Sequence, residues 1–168
     1  IEGKRMVSLK DCEPDITTEI DLIFQKSNQL LIKASPLLDI SQVLSEIPFV
    51  KEVHVVSVNN ECKELLFLSE KNFRNKPQII AVNLAKDKID VLSGEKNPTQ
   101  AGFSLPKTYL LEPNTSIMKS GLFDELAYTF NLMKLQQNSH LFTTDLLPQD
   151  FPGKVFEIQE IMKPFRKS

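Results

Sequence analysis

Polar residues that could do chemistry fall into four groups along the chain. The first group, Lys33, Ser35, Pro36 and Asp39, follows a short apolar run and precedes a predicted helix. Open α/β sheets bind ligands at the carboxyl ends of their strands, so this group is a candidate substrate-binding corner. A plain strand-to-helix corner is an equal alternative, in which Pro36 shapes the turn and Asp39 caps the helix.

The second group lies at a predicted hairpin turn and consists of Asn60, Glu61, Cys62, Lys63 and Glu64. Polar side chains at such a turn are commonly just solvated. We therefore favour a solvated turn, with Cys62 half-buried, over a binding site.

The third group joins a predicted strand to a predicted helix and contains Glu112, Pro113, Asn114, Lys119 and Ser120. The free backbone N–H groups at the start of a helix can hold a phosphate. Helix capping by Asn114 alone would also explain the pattern, and we favour capping.

The fourth group is Asn138, Ser139 and His140, beside Thr143 and Thr144. His140 could donate to a ligand or act as a base, although a structural, hydrogen-bonded histidine is the commoner case. Ser139 and His140 cannot form a nucleophile pair, because adjacent residues of a strand point to opposite faces.

The sequence lacks the motifs of the common catalytic and nucleotide sites. It contains no G-x-G-x-x-G, phosphate loop, G-x-S-x-G, H-E-x-x-H or C-x-x-C. A zinc site would need both histidines and both cysteines together, which their spacing does not favour. His54 lies within a predicted strand, so we expect it to be packed or paired.

Composition indicates an ordinary globular protein of one domain or two small ones. Hydrophobic residues make up 41% of the 168 residues and charged residues 25%. The net charge of -2 gives no bulk basic field to attract nucleic acid, although a local basic patch remains open. Two cysteines fit a reducing compartment, and neither a membrane span nor a signal peptide is present in the sequence. We expect a cytoplasmic protein with no membrane partner, and the start at Ile1 suggests a piece of a longer protein.

The chain is organised around residues 29–71, which alternate strand and helix and so predict a mixed α/β sheet. A helix capped by Thr17 or Thr18 and extending to about Lys26 is predicted before this stretch. Both faces of the first strand and of the hairpin look apolar, so we expect both to be buried. The predicted strand, helix, strand, turn and strand cover residues 30–34, 38–47, 53–58, 59–60 and 64–68.

Composition shifts predict three regions along the chain. Residues 1–71 form the sheet described above, residues 72–104 a hairpin and linker, and residues 105–168 a small α+β domain. The linker begins with the polar run at 71–77. In the last region the predicted strands are 108–111, 140–143 and 154–159, and the predicted helices are 114–119 and 122–131.

Several runs of the chain resemble one family. Those at 31–40, 53–58 and 61–66 resemble bacterial, Bacteroidetes-type class I SAM-dependent methyltransferases. The runs at 109–114, 117–119, 138–141 and 150–153 resemble the THUMP-like C-terminal domain of the same group.

The resemblance implies a fold and a cofactor. The chain would be the distal half of a Rossmann-like methyltransferase sheet, with a parallel strand, a helix and an antiparallel hairpin, followed by a THUMP-like domain. The family's glycine-rich loop and acidic residue for S-adenosylmethionine would precede Ile1. The full-length parent would therefore bind S-adenosylmethionine, while this chain alone would bind no cofactor and be inactive. It could shape the acceptor pocket through Lys33, Ser35 and Asp39.

The resemblance also implies partners. THUMP domains are similar to RNA-binding modules, so residues 105–168 would contact structured RNA such as tRNA or rRNA. The upstream methyltransferase half of the parent protein would be the other partner. A basic patch for this RNA would consist of Lys107, Lys119, Lys134, Lys154, Lys163, Arg166 and Lys167. The alternative is that these cations are scattered and solvated.

Three hypotheses follow. The chain is the C-terminal portion of a methyltransferase that acts on RNA, a non-catalytic binding module, or an independent enzyme that uses His140 and Glu112. Under the first hypothesis the substrate-binding residues are Lys33, Ser35, Pro36, Asp39, Glu112, Asn114, Lys119, Asn138 and His140.

Overall fold

The computed structural model describes residues 8–94 and 100–162, which form two β-sheets with helices packed between and against them. The helices are α1 (Ile16–Lys26), α2 (Ile40–Glu46), α3 (Thr115–Ser120) and α4 (Phe123–Phe130). The first five strands are β1 (Gln29–Ala34), β2 (Val50–Val58), β3 (Glu61–Glu70), β4 (Gln78–Leu84) and β5 (Ile89–Gly94). The last four are β6 (Tyr109–Pro113), β7 (Met133–Lys134), β8 (Phe142–Thr144) and β9 (Gly153–Glu157).

Side-chain caps fix where the first two helices begin. Helix α1 begins after Asp15, whose carboxylate accepts a hydrogen bond from the Thr17 N–H at 2.9 Å, so the predicted threonine cap was wrong. Helix α2 begins after Asp39, which accepts from the Gln42 N–H at 2.9 Å. It is shorter than predicted because Leu38 belongs to a turn that closes onto Ser35.

The first sheet has the strand order β1-β3-β2-β4-β5. Strands β1 and β2 run in the same direction with β3 antiparallel between them, which confirms the predicted parallel strand, helix and hairpin. The hairpin turn is Asn59–Asn60, and both residues have left-handed φ angles, 49° and 63°.

The second predicted hairpin is part of this same sheet. Strand β4 pairs in parallel with β2 and antiparallel with β5. Residues 71–77, predicted as a linker, therefore connect two strands of one sheet. The boundaries proposed at residues 71 and 104 stay a prediction.

One face of the first sheet is buried and the other is open. The buried face carries Val53, Val55, Leu65, Phe67 and Ala81, and α3 packs against β2, β3 and β4. On the opposite face Leu31 is 61% exposed and Val91 is 60% exposed. The expectation that both faces are buried was therefore wrong for Leu31 in β1, whereas Val56, Leu66 and Leu68 on the same face of the hairpin are half-buried.

The second sheet has the order β7-β8-β6-β9, and all of its pairs are antiparallel. Helices α3 and α4 connect β6 to β7. Leu111, Ile117, Leu126 and Phe142 bury their side chains in a core that is continuous with that of the first sheet. Lys134 belongs to β7, a strand absent from the sequence prediction, because its main chain is paired with β8.

Some predicted segments lie outside the described residues. They include Lys163, Arg166 and Lys167 of the proposed basic patch. Within the described part of the chain, no helix has both the length and the apolar character needed to span a membrane.

A glycine-to-alanine pair tests the pairing of β6 with β9. A Cβ added at Gly153 would lie 2.1 Å from the Glu112 carbonyl oxygen, a backbone atom in the paired strand. Gly153→Ala should lower the free energy of unfolding by about 1–3 kcal/mol, because β9 must shift away from β6. Urea denaturation measures the loss.

Gly102→Ala is the matched control, since its Cβ would meet only the flexible end of the Met133 side chain, at 2.7 Å. If both variants lose equal stability, the close approach of β9 to β6 is contradicted.

Candidate functional site

Polar side chains, of which Asn83 and Asn114 are buried, join the first sheet to the β6–α3 connection. We call Asn60, Asn83, Asp90, Asn114 and Thr115 the polar junction. The Asn60 side-chain oxygen accepts a hydrogen bond from the Thr115 N–H at 2.8 Å. The Asn60 N–H in turn donates to the Asn83 side-chain oxygen at 3.0 Å. The hairpin turn is therefore hydrogen-bonded to the start of α3.

Asp90 is the charged member of the polar junction. The side-chain amides of Asn83 and Asn114 donate to its Oδ2 at 3.3 Å and 3.4 Å. Lys88 forms an ion pair with Oδ1 at 2.8 Å. Because this carboxylate is almost completely buried, these donors compensate the cost of removing its charge from water.

A small polar cavity of about 150 Å³ opens beside the junction. This volume is well below the roughly 300–1,000 Å³ of sites for drug-sized ligands. The cavity therefore suits water or a small polar group rather than a nucleoside. It is lined by Asn60, Asn83, Asp90, Glu112, Pro113, Asn114, Gly153 and Lys154.

Three residues of the third predicted group line this cavity, Glu112, Pro113 and Asn114, and Asn114 caps α3. Asn114 Oδ1 accepts hydrogen bonds from the Ile117 N–H at 3.2 Å and the Ser116 hydroxyl at 2.7 Å. Glu112 faces Lys154 at 3.7 Å. Two backbone N–H groups that a phosphate would need, those of Thr115 and Ile117, already have partners, so the geometry favours capping.

Lys119 connects the third predicted group to the first. Its ammonium donates to the Leu38 carbonyl at 2.8 Å, which draws α3 to the corner between β1 and α2. At that corner Lys33 pairs with Glu64 at 2.7 Å, and Asp39 caps α2.

The rest of the corner forms a turn. Ser35 accepts a hydrogen bond from the Leu37 N–H at 3.2 Å, next to the half-buried Pro36. The corner thus has the structural roles expected of a strand-to-helix turn, and a binding role for it stays a prediction.

Sequence reasoning missed the residues under α3. Ser57 is fully buried, and its hydroxyl lies 2.9 Å from that of Thr115. No motif marked this contact, because Ser57 and Thr115 are far apart in sequence. An isolated serine on an otherwise apolar strand face was the only available signal.

Cys62, also near Ser57, is a poor nucleophile. Burial raises the pKa of its thiol, and a hydrogen bond from Ser57 and the charge of Lys119 only partly oppose that rise. The thiol therefore stays protonated at neutral pH, and the thiolate is the reactive form.

The fourth predicted group is not at the polar junction. The exposed His140 ring stacks on Phe123 with centroids 4.3 Å apart, and the Lys134 ammonium lies 5.7 Å from the Phe123 centroid. Asn138 is exposed in the preceding loop. No hydrogen bond joins His140 to Glu112 or to another carboxylate in the described chain, so the independent-enzyme hypothesis gains no support.

The remaining histidine is paired, as expected, since His54 lies 2.9 Å from the Glu52 carboxylate. Among the described residues, no three His, Cys, Asp or Glu side chains are grouped as metal ligands.

Comparisons with known proteins agree with this architecture. Residues 109–152 match the family model of a ferredoxin-like domain. The chain is also similar to a crystal structure described as a "putative methyltransferase" from Porphyromonas gingivalis W83, with a TM-score of 0.85 and 31% identity. That similarity covers 94% of this chain but only 42% of the other protein. A search of curated proteins finds no match.

The ferredoxin-like match fits the second sheet. In a split βαβ arrangement two strands joined through a helix enclose a third strand between them. Here β6 and β7 are joined through α3 and α4, and β8 lies between them. The sequence prediction of a small α+β domain is therefore confirmed for this region.

Removing the cap of α3 tests the polar junction. Asn114→Ala should lower the free energy of unfolding by about 2 kcal/mol, since it removes a helix cap and one donor to the buried Asp90. The exposed cap of α2 provides the control, and Asp39→Ala should cost about 1 kcal/mol. Urea denaturation compares them, and equal losses would contradict a structural role for the Asn114–Asp90 contact.

The pH dependence of alkylation tests the environment of Cys62. In a Cys12→Ser protein, the rate of reaction with iodoacetamide should reach half its maximum at a higher pH than for glutathione. The reason is that burial raises the pKa of the Cys62 thiol, so less thiolate exists at a given pH. Mass spectrometry follows the reaction, and a midpoint at or below that of glutathione would refute the assignment.

Proposed function

We propose that this chain is the C-terminal portion of a SAM-dependent methyltransferase that acts on RNA. The ferredoxin-like domain would serve, as THUMP-like domains do, in substrate binding. The observation that carries the proposal is the similarity to the Porphyromonas gingivalis protein, which extends over 94% of this chain. Because the chain spans 42% of that protein, the proposed activity belongs to a longer polypeptide.

The open edge of the first sheet supports this proposal. Strand β1 pairs with β3 on one side, and no described strand pairs with its other side. Unpaired N–H and C=O groups along such an edge can accept a further strand. Leu31, exposed to 61%, lies on this edge strand, so an added strand and its helix would also cover apolar surface.

S-adenosylmethionine would supply the methyl group in the full-length protein. The chain itself contains no glycine-rich loop for this cofactor, so the cofactor site would lie in the remaining part. What this chain could contribute is acceptor placement, since methyl transfer depends on aligning the acceptor with the methyl group. Lys33 lies at the carboxyl end of β1, and Ser35 and Asp39 follow that end, where open sheets place ligands.

The proposed RNA contact through residues 105–168 has mixed support. Lys107 pairs with Asp145 at 3.2 Å, and Lys154 faces Glu112 at 3.7 Å, so two of the proposed cations are partly neutralised. Lys134 lies over Phe123 instead of a carboxylate, and His140 stacks on the same ring. This cation and aromatic pair is the feature of the domain that best suits contact with RNA bases.

The decisive experiment uses the complete coding sequence that contains this chain. Calorimetry should detect one S-adenosylmethionine bound per folded full-length protein, and a radiolabelled methyl group should enter total RNA. The 168-residue chain is the matched control and should give no heat with the cofactor. A folded full-length protein that gives no heat would favour the non-catalytic binding module.

A further inference from the structure

A groove at one end of the first sheet has no role in the function proposed above. It lies between the α2–β2 connection and the β3–β4 connection, with a volume of about 380 Å³. We call it the Phe49 groove, after one of the aromatic residues that line it. The residues that carry the argument are Pro48, Phe49, Phe73, Arg74, Asn75 and Pro77.

Phe49 is held at the groove in an unfavourable backbone conformation. Its φ angle is 62°, a left-handed value that bulky residues rarely adopt. The rings of Phe24 and Phe49 pack edge to face, with their centroids 5.6 Å apart. The Phe49 carbonyl accepts a hydrogen bond from the Glu70 N–H at 3.0 Å. Strained residues that the surroundings hold in place often occur at binding sites.

Arg74 adds a planar cation to this aromatic surface. Its guanidinium lies 5.1 Å from the centroid of the Phe49 ring. Arg74 is exposed, and no carboxylate in the described chain forms an ion pair with it. Nucleobases stack on aromatic rings and on arginine planes, so Phe49, Phe73 and Arg74 together offer a stacking surface.

The connection that carries Phe73 and Arg74 is locally basic. Residues 71–77 read Lys-Asn-Phe-Arg-Asn-Lys-Pro, with three cations and no acid, in a chain whose net charge is -2. Lys71 and Lys76 are exposed. The adjacent acid, Glu70, is already paired with Lys51 at 2.8 Å, and this pairing holds the pKa of the Glu70 carboxyl below its ordinary value.

We propose that the Phe49 groove binds single-stranded RNA. An unpaired base stacks against Phe73 and Arg74 while neighbouring phosphates contact Lys71, Arg74 and Lys76. The groove volume suits one or two bases and is too small for a duplex. The choice of RNA rests on the proposed function, but the site lies outside residues 105–168, where the RNA contact of the domain is expected.

Fluorescence anisotropy with a labelled uridine oligonucleotide tests the proposal on the 168-residue chain without cofactor. Phe73→Leu keeps an apolar side chain but removes the ring, so it should weaken binding about tenfold without changing the salt dependence. Arg74→Gln should weaken binding and reduce the slope of log K against log salt by about 0.7, the loss of one phosphate contact. Arg74→Lys should restore the slope but not the full affinity.

Lys63→Gln is the matched charge control, since Lys63 pairs with Glu61 at the opposite end of β3. It should change neither affinity nor slope. No binding, equal binding of an RNA duplex, or the same loss in Lys63→Gln and Arg74→Gln would each overturn the proposal. Circular dichroism confirms that each variant is folded.

The groove proposal and the proposed function can be refuted separately. Binding of S-adenosylmethionine by the full-length protein without oligonucleotide binding at the groove would refute only the groove. Oligonucleotide binding without cofactor binding would refute only the methyltransferase.

Discussion

The packing of α3 against the first sheet is the contact on which the rest of the structure depends. This helix belongs to the ferredoxin-like segment, yet it covers β2, β3 and β4 of the other sheet. Ile117, 1% exposed, buries its side chain in the shared core. Ser57 meets Thr115 beneath the helix, and Lys119 reaches the Leu38 carbonyl. One short helix thereby joins two sheets that are built from successive parts of the chain.

Burying polar groups at this contact is tolerable because they satisfy one another. Asn83 and Asn114 are 6% and 3% exposed, and both donate to the buried Asp90, which Lys88 neutralises. A satisfied polar network fixes relative orientation more specifically than apolar packing, because each misplaced partner leaves a buried group unpaired. Asn83, Asp90 and Asn114, which could have bound a ligand, instead form hydrogen bonds that hold the structure together.

Two surfaces of the first sheet lie away from the polar junction, the edge of β1 and the Phe49 groove. The edge of β1 and the open face beside it carry apolar residues such as Leu31 that suit further protein, in line with a chain that spans 42% of the Porphyromonas gingivalis protein. The Phe49 groove instead combines aromatic rings with Arg74 and adjacent lysines. Protein contact and nucleic-acid contact would therefore use separate parts of the first sheet.

The sequence alone determined the local elements, since their signals lie within a few residues. Asn59–Asn60 specified a hairpin turn through its tolerance of positive φ, and Asn114 specified the start of α3 as its cap. The sequence also fixed the order of strand, helix and hairpin. Only the tertiary structure decided that β4 joins β2 and that Lys119 meets the first corner. These contacts join residues far apart in the chain, and such pairings depend on packing that no local pattern encodes.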